Sequence, residues 1–210
     1  PWYALIELSD SESEAHARER FEAVVGQAFE DGLVADAAIA QSLQQSQAIW
    51  HLRHEALGRA QRAEGRNIKH DVSVPISRIP AFLAETAAAL QARFPGVRPI
   101  AYGHLGDGNL HYNLAHANGS TPDELFTDED ALHALVHDIA HAHGGSISAE
   151  HGIGQVKRDL LPHYKSAVEL GLMHRIKQAL DPLGLLNPGK VLQAAPPAAS
   201  GTRHPSDEAA

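Results

Sequence analysis

The chain has 210 residues, 43% hydrophobic and 20% charged, which is enough to bury a sizeable core and excludes wholesale disorder. Its 26 acidic and 17 basic side chains give a formal net charge of −9, and no local basic patch offsets that field, so nucleic acid is not expected as a partner. With no Cys, disulfides, thiolate metal sites, iron–sulfur clusters and cysteine nucleophiles are excluded, and any metal must be held by nitrogen and oxygen.

Every apolar run is interrupted well before the roughly 20 residues a bilayer span requires. The chain opens at Pro1 without a leader and runs straight into Trp2-Tyr3-Ala4-Leu5-Ile6-Glu7-Leu8, which reads as a strand; a piece of a longer protein is the expectation. Ser9-Asp10-Ser11 then supplies capping residues for a helix running to about Glu30, with Phe21, Val24, Val25 and Phe29 at helical spacing. A short apolar run near Leu33 to Ile39 leads into a Gln- and Ala-rich helix ending around Gly65. Ile68 to Val74 alternates as a strand and stops at Pro75. A helix from about Ile76 to Phe94 is closed by Pro95-Gly96, and Val97 to Leu114 is broken only by Gly106-Asp107-Gly108-Asn109, a hairpin. Thr121 to His143 is helical again, Gly144 to Ala149 is a short strand, and Tyr164 to Leu180 forms the last helix. Residues 194–210 carry too little apolar surface to fold and read as a disordered tail. Asn118-Gly119-Ser120 fits a glycosylation acceptor but reads as an ordinary turn in a chain with no secretion signal.

The one firm strand pair is antiparallel, which favours an α+β architecture, an antiparallel sheet covered by helices, over a doubly wound parallel sheet. If Asp107-Gly108 is a two-residue loop, His104 lies opposite His111 and Tyr102 opposite Asn113, all on one face. Two imidazoles facing each other on a rigid hairpin are a preformed metal half-site, although a solvated His pair would show the same spacing. Glu150 and His151 lie where a strand ends in the turn Gly152-Ile153-Gly154. Those glycines let both face one cleft, where Glu150 would complete a two-His, one-carboxylate site and His151 could act as general base. His133, His137 and His141 line one helix face at i, i+4, i+8, and the expectation there is a solvated stripe with adventitious metal binding at most. Arg53 and Lys69 can hold a carboxylate or, equally, stand as surface charges.

Together, Trp50-x-x-Arg53, Ile68 to Pro75, Gly103-His104-Leu105-Gly106-Asp107-Gly108-Asn109-Leu110-His111-Tyr112-Asn113, Glu150 to Gly154 and Asn187-Pro188-Gly189-Lys190 resemble the C-terminal domain of FAD-linked oxidases. The likeness covers residues 1 to about 192, and D-lactate dehydrogenase, glycolate oxidase and D-2-hydroxyglutarate dehydrogenase are the nearest types. The resemblance implies ferredoxin-like units and one substrate- and metal-binding domain over residues 1–193. His104, His111 and Glu150 would be metal ligands, with zinc first and manganese or iron as alternatives. His151 would be the base, Arg53, Lys69 and Asn113 substrate contacts, and Asn187 and Lys190 would lie near FAD. It further implies a partner flavin-binding domain supplying most FAD contacts, with nothing in this chain corresponding to it, so the chain alone should not hold FAD firmly or turn over. Two departures stand out. The stretch between Arg53 and Lys69 is about one residue longer than usual, and Leu57 or Gly58 replaces a hydroxyl residue some members carry one turn after the Arg.

The implied reaction is oxidation of a D-2-hydroxy acid of the lactate, glycolate or 2-hydroxyglutarate class to the 2-oxo acid, in the cytoplasm or peripheral to the inner membrane. The electron acceptor is not named by the sequence, and a homodimer is allowed. A free-standing metal-dependent hydrolase using the same His104, His111 and Glu150, and a non-catalytic 2-hydroxy-acid-binding module, are the competing readings.

Overall fold

The computed structural model describes residues 2–63, 65–116 and 126–193. The chain divides into two compact units, Pro1–Gly65 and Arg66–Ala210. Residues 117–125 and 194–210 lie outside the described residues, and with them the Asn118 acceptor, the start of the helix expected from Thr121, and the expected tail.

In the first unit, helix α1 (Glu14–Glu30) begins where the Ser13 hydroxyl accepts the His16 N–H at 3.1 Å, and α2 (Leu43–His51) begins at Ser42 in the same way. α2 continues through a π-helical turn, Leu52–Ala56, into α3 (Leu57–Ala63). Residues 2–10 form no strand, contrary to expectation. Their alternation has no partner to pair with, because no strand occurs among the described residues of this unit, and an unpaired strand leaves its backbone groups to water. Trp2, Tyr3 and Ile6 are accordingly exposed.

The second unit holds strand β1 (Asp71–Ser73), helix α4 (Ile79–Arg93), strands β2 (Val97–His104) and β3 (Asn109–His116), and helices α5 (Glu129–Ala142), α6 (Leu161–Tyr164) and α7 (Ala167–Leu180). The helix expected from Tyr164 thus starts instead at Ala167, where Ser166 and Glu169 form a reciprocal capping box. The strands pair antiparallel in the order β1-β3-β2. The strand expected over Gly144–Ala149 shrinks to one bridge, Ser146 to Ser73, on the outer edge of β1. Its place completes a ferredoxin-like β-α-β-β-α-β unit with an abbreviated fourth strand. The fold is α+β, as the hairpin indicated.

Alternation splits the sheet into two faces. Val72, Leu110, Tyr112 and Leu114 pack on Phe82 and Leu90 of α4 and on Leu132, Leu135, Val136 and Ala140 of α5, in one buried cluster. Each such aliphatic or aromatic side chain contributes about 1.5–3 kcal/mol by leaving water. The other face carries Asp71, Ser73, Asn109, His111, Asn113, Tyr102 and His104.

The hairpin register is two residues away from the expected one. Tyr102, not His104, lies opposite His111, and His104 lies opposite Asn109. The loop is a 3₁₀ turn, Leu105–Asp107, closed by Gly108 at φ +72°. A Cβ at Gly108 would sit 2.1 Å from the Val74 carbonyl oxygen, whereas Val74 N–H donates to the Gly108 carbonyl at 3.1 Å. That tie to the strand exit makes the longer loop the better solution. Because side chains alternate with period two, a slip of two residues changes who is opposite whom and leaves every side chain on its expected face.

Candidate active site

The site is built on the face of β1 and β3 opposite α4 and α5. Glu150 reaches between the two hairpin histidines: its Oε1 is 3.1 Å from His104 Nδ1 and its Oε2 is 3.5 Å from His111 Nε2. The Tyr102 ring lies against His111 with centroids 5.0 Å apart, fixing that imidazole from the neighbouring strand. The direct His104–His111 pair drawn from a two-residue loop is therefore replaced by a His–carboxylate–His bridge. Asn109, which the sequence reading passed over, donates from Nδ2 to Glu150 Oε1 and lies 3.4 Å from His104 Nδ1. Its Oδ1 is buried without a hydrogen-bond partner.

The loop bearing Glu150 and His151 is held by Asp71, a second residue the sequence reading assigned no role. This carboxylate, 3% exposed, accepts the backbone N–H groups of Ala149 at 3.0 Å, Glu150 at 3.0 Å and His151 at 2.9 Å, and the Ser148 hydroxyl at 3.2 Å. Burial works against its charge, but those N–H donors from His151, Glu150 and Ala149, with the His151 ring nearby, outweigh it and hold the carboxyl below the usual range. His151 Nδ1 is 3.8 Å from Asp71 Oδ2, and the His151 ring centroid is 6.0 Å from that of His111. The strand-like alternation of Ile68 to Val74 was the one signal in the sequence that set Asp71 on a common face with Lys69 and Ser73.

The donor chemistry fits a divalent metal. Ligand atoms from Asp71, His111, Glu150 and His151 all lie within 4.8 Å of one another, and His104 approaches the same Glu150 carboxylate. Ligands about 2.1 Å from a shared ion stand roughly 3.0–3.4 Å apart, close to the His104–Glu150 and His111–Glu150 separations. Asp71 already accepts several N–H donors, which suits it to holding the loop, and His104 lies outside the four residues whose ligand atoms converge, near Glu150 alone of the two carboxylates.

The remaining candidates divide. The register pairing Ile68 with Leu114 and Asp71 with His111 sets Lys69 across from Asn113 on this same face, Lys69 exposed and Asn113 buried. Asn187 and Lys190 lie in a turn tied to the loop that follows His151. Val191 N–H donates to the Gly154 carbonyl at 2.6 Å, Arg158 Nη1 donates to the Gly189 carbonyl at 2.9 Å, and the Lys190 ammonium donates to Gln155 Oε1. Asn187 and Val191 hold φ of +46° and +63°, values that need support of this kind. Arg53 belongs to the first unit, half-buried in the π-helical turn, a deformation that recurs at functional positions.

A family model described as "FAD linked oxidases, C-terminal domain" matches residues 1–191. The chain belongs to this family. Similar to it are the D-2-hydroxyglutarate dehydrogenases of Xanthomonas citri pv. viticola, 41% identical over 198 residues, and of Stutzerimonas stutzeri, 37% identical over 197 residues, each alignment taking in 92% of this chain. The mitochondrial D-2-hydroxyglutarate dehydrogenase of Arabidopsis thaliana is 38% identical over 192 residues, 91% of this chain. The FAD-linked oxidase domain described here spans 40%, 41% and 32% of the lengths of those three relatives. Among its described residues, no helix is long and apolar enough to cross a membrane.

Proposed function

We propose that this chain is the substrate- and metal-binding part, over residues 1–193, of an FAD-dependent dehydrogenase that oxidises a D-2-hydroxy acid to the 2-oxo acid. The observation that carries the reading is the His104–Glu150–His111 bridge beside His151, in a chain of the FAD-linked oxidase C-terminal family. The three relatives named above are called D-2-hydroxyglutarate dehydrogenases, which favours 2-hydroxyglutarate over lactate and glycolate.

His104, His111 and Glu150 would hold a divalent ion, zinc first, whose chemistry is to polarise the substrate's hydroxyl and carboxylate oxygens. FAD, bound mainly by a partner flavin-binding domain, supplies the hydride acceptor. Everything else falls to side chains of this chain. His151, with Nδ1 turned to Asp71, offers Nε2 as the base that takes the hydroxyl proton. Asp71 fixes the backbone of Glu150 and His151 so that ligand and base keep their spacing. Lys69 and Asn113 present a cation and an amide on the same sheet face for the substrate carboxylate, and Arg53, in the first unit, carries its role as a substrate contact from the family resemblance alone. Asn187 and Lys190 would approach the flavin.

The test pairs metal content with turnover. In the chain joined to a flavin-binding domain, His151→Ala is expected to lower 2-hydroxy-acid-dependent dye reduction by about 10²-fold or more while bound metal stays. His111→Ala is expected to remove both metal and activity. Unchanged dye reduction in the His151 variant rules out the base assignment, and ester hydrolysis by the chain without flavin, lost on chelation, would favour the hydrolase instead.

A further inference from the structure

A second group of histidines lies on the helix-covered side of the sheet, away from the bridge at Glu150. His133 and His137 stand one turn apart on α5, and His70 faces them from the residue before β1. The stripe expected to be solvated is only partly so: His141 is exposed, but His137 is 3% exposed, and His70, which helical spacing could not reveal, is 2% exposed.

The hydrogen bonds fix the state of these rings. His70 Nδ1 is 2.8 Å from the Tyr112 carbonyl oxygen, which can only accept, so Nδ1 carries the hydrogen. Burial first, then His133 and His137, lower the His70 pKa to about 3, leaving Nε2 as a bare lone pair. That nitrogen is 3.0 Å from His133 Nδ1, and the far nitrogen of His133, Nε2, is 3.7 Å from Glu129 Oε1. The two rings are thus joined by a hydrogen bond from His133 Nδ1 to His70 Nε2, and each turns its other nitrogen toward an oxygen, as metal-ligating histidines do. Neither nitrogen of His137 has a hydrogen-bond partner, and burial, then Lys157 and His133, keep it neutral with a pKa of about 4. An uncharged, buried imidazole with two idle nitrogens costs free energy unless something is there to use a lone pair.

The ring spacing says what. Three imidazoles on one tetrahedral ion, with about 2.1 Å metal–nitrogen bonds, have centroids roughly 5.3 Å apart. The centroids here are separated by 4.7 Å for His70–His133, 5.6 Å for His70–His137 and 5.8 Å for His133–His137. We propose that His70, His133 and His137 form a second, structural site for a zinc-class divalent cation, tying α5 to the strand entry through His70 Nε2, His133 Nδ1 and one nitrogen of His137. The nitrogens of the three rings are not all within 4.8 Å of one another, so filling the site requires His137 to turn a nitrogen toward the other two, with a tautomer change at His133, whose hydrogen moves from Nδ1 to Nε2 and toward Glu129, with no net proton release. Lys157, whose ammonium donates to the Ile147 carbonyl at 2.5 Å, faces all three rings and opposes the ion, while Glu129 and Asp138 favour it.

The test uses the full 210-residue chain, stripped with chelator and titrated with Co²⁺, whose visible spectrum reports nitrogen coordination. A His104→Ala/His111→Ala/Glu150→Ala variant isolates the second site from the proposed catalytic one. It is expected to bind about one Co²⁺ per chain, displaced by Zn²⁺. Adding the half-exposed His133→Gln should weaken binding at least tenfold, and Lys157→Met should strengthen it several-fold. Absence of bound cobalt in the triple variant, with an unaltered circular dichroism spectrum, overturns the proposal. So does binding that survives both His133→Gln and His137→Ala, which would place the ion elsewhere, for instance at Asp10, Glu12 and His16. Failure of the catalytic assignment would read differently, as a parent chain whose metal content the triple substitution leaves unchanged.

Discussion

Asp71 shows how one residue can set the geometry of a site without being its chemistry. Four donors converge on its carboxylate, so Asp71→Asn, which turns an amide N–H₂ toward N–H donors, is expected to cost about 2–4 kcal/mol and to loosen metal binding. Urea unfolding and metal titration of the variant check both, and an unchanged unfolding midpoint would remove Asp71 from its role. The buried histidines make a prediction of opposite chemical sense. His70 and His137 have folded pKa values lowered to about 3 and about 4, so the unfolded chain, whose imidazoles take protons near 6.5, gains them first as pH falls. The stability they carry is complete above pH 6.5 and is lost progressively as pH drops toward their folded values. Urea midpoints of the chelated chain should therefore fall between pH 7 and pH 4.5, and a flat profile would contradict the burial of these rings. His104, His111, Glu150 and His151 were legible from spacing because strands and tight loops place side chains by simple rules. Asp71, Asn109 and His70 were not, because what distinguishes them is burial against segments distant in sequence.

At the scale of elements, the hairpin shows which part of a sequence rule survives contact with packing. Face assignment followed from alternation alone and held; register depended on loop length and did not, because Gly108 sits against Val74 and favours the 3₁₀ turn. Gly108→Ala is expected to destabilise the chain by at least about 2 kcal/mol, since it combines a positive φ with a backbone clash at Val74, and to disturb Asn109 and its hold on Glu150. Thermal unfolding measures the first effect and metal affinity the second. An undiminished melting temperature would mean that the loop can take the shorter register after all. The run Trp2 to Leu8 teaches the complementary lesson: alternation is a property of one segment, but a strand needs a neighbour.

For the whole molecule, the α+β class was readable from the antiparallel hairpin among alternating strand and helix patterns and the ferredoxin-like unit followed from the family resemblance, whereas the shortening of the strand expected over Gly144–Ala149 to one bridge left no trace in the sequence. The chain spans 40% and 41% of the two bacterial relatives, and Val168, Leu172, Ile176 and Leu180 form an exposed apolar stripe along α7. On the proposed function, the 210 residues alone bind metal yet show no dye reduction with D-2-hydroxyglutarate, and gain it only beside a flavin-binding domain. Turnover by the isolated chain would refute that division of labour. The two faces of β3 also separate what evolution can alter. Positions 110, 112 and 114 answer to the helices, while 109, 111 and 113 answer to whatever lies on the other side of the sheet. New specificities can thus be explored at every second residue of a single strand while the intervening residues keep the chain folded, so that drift in substrate choice and drift in stability are nearly independent.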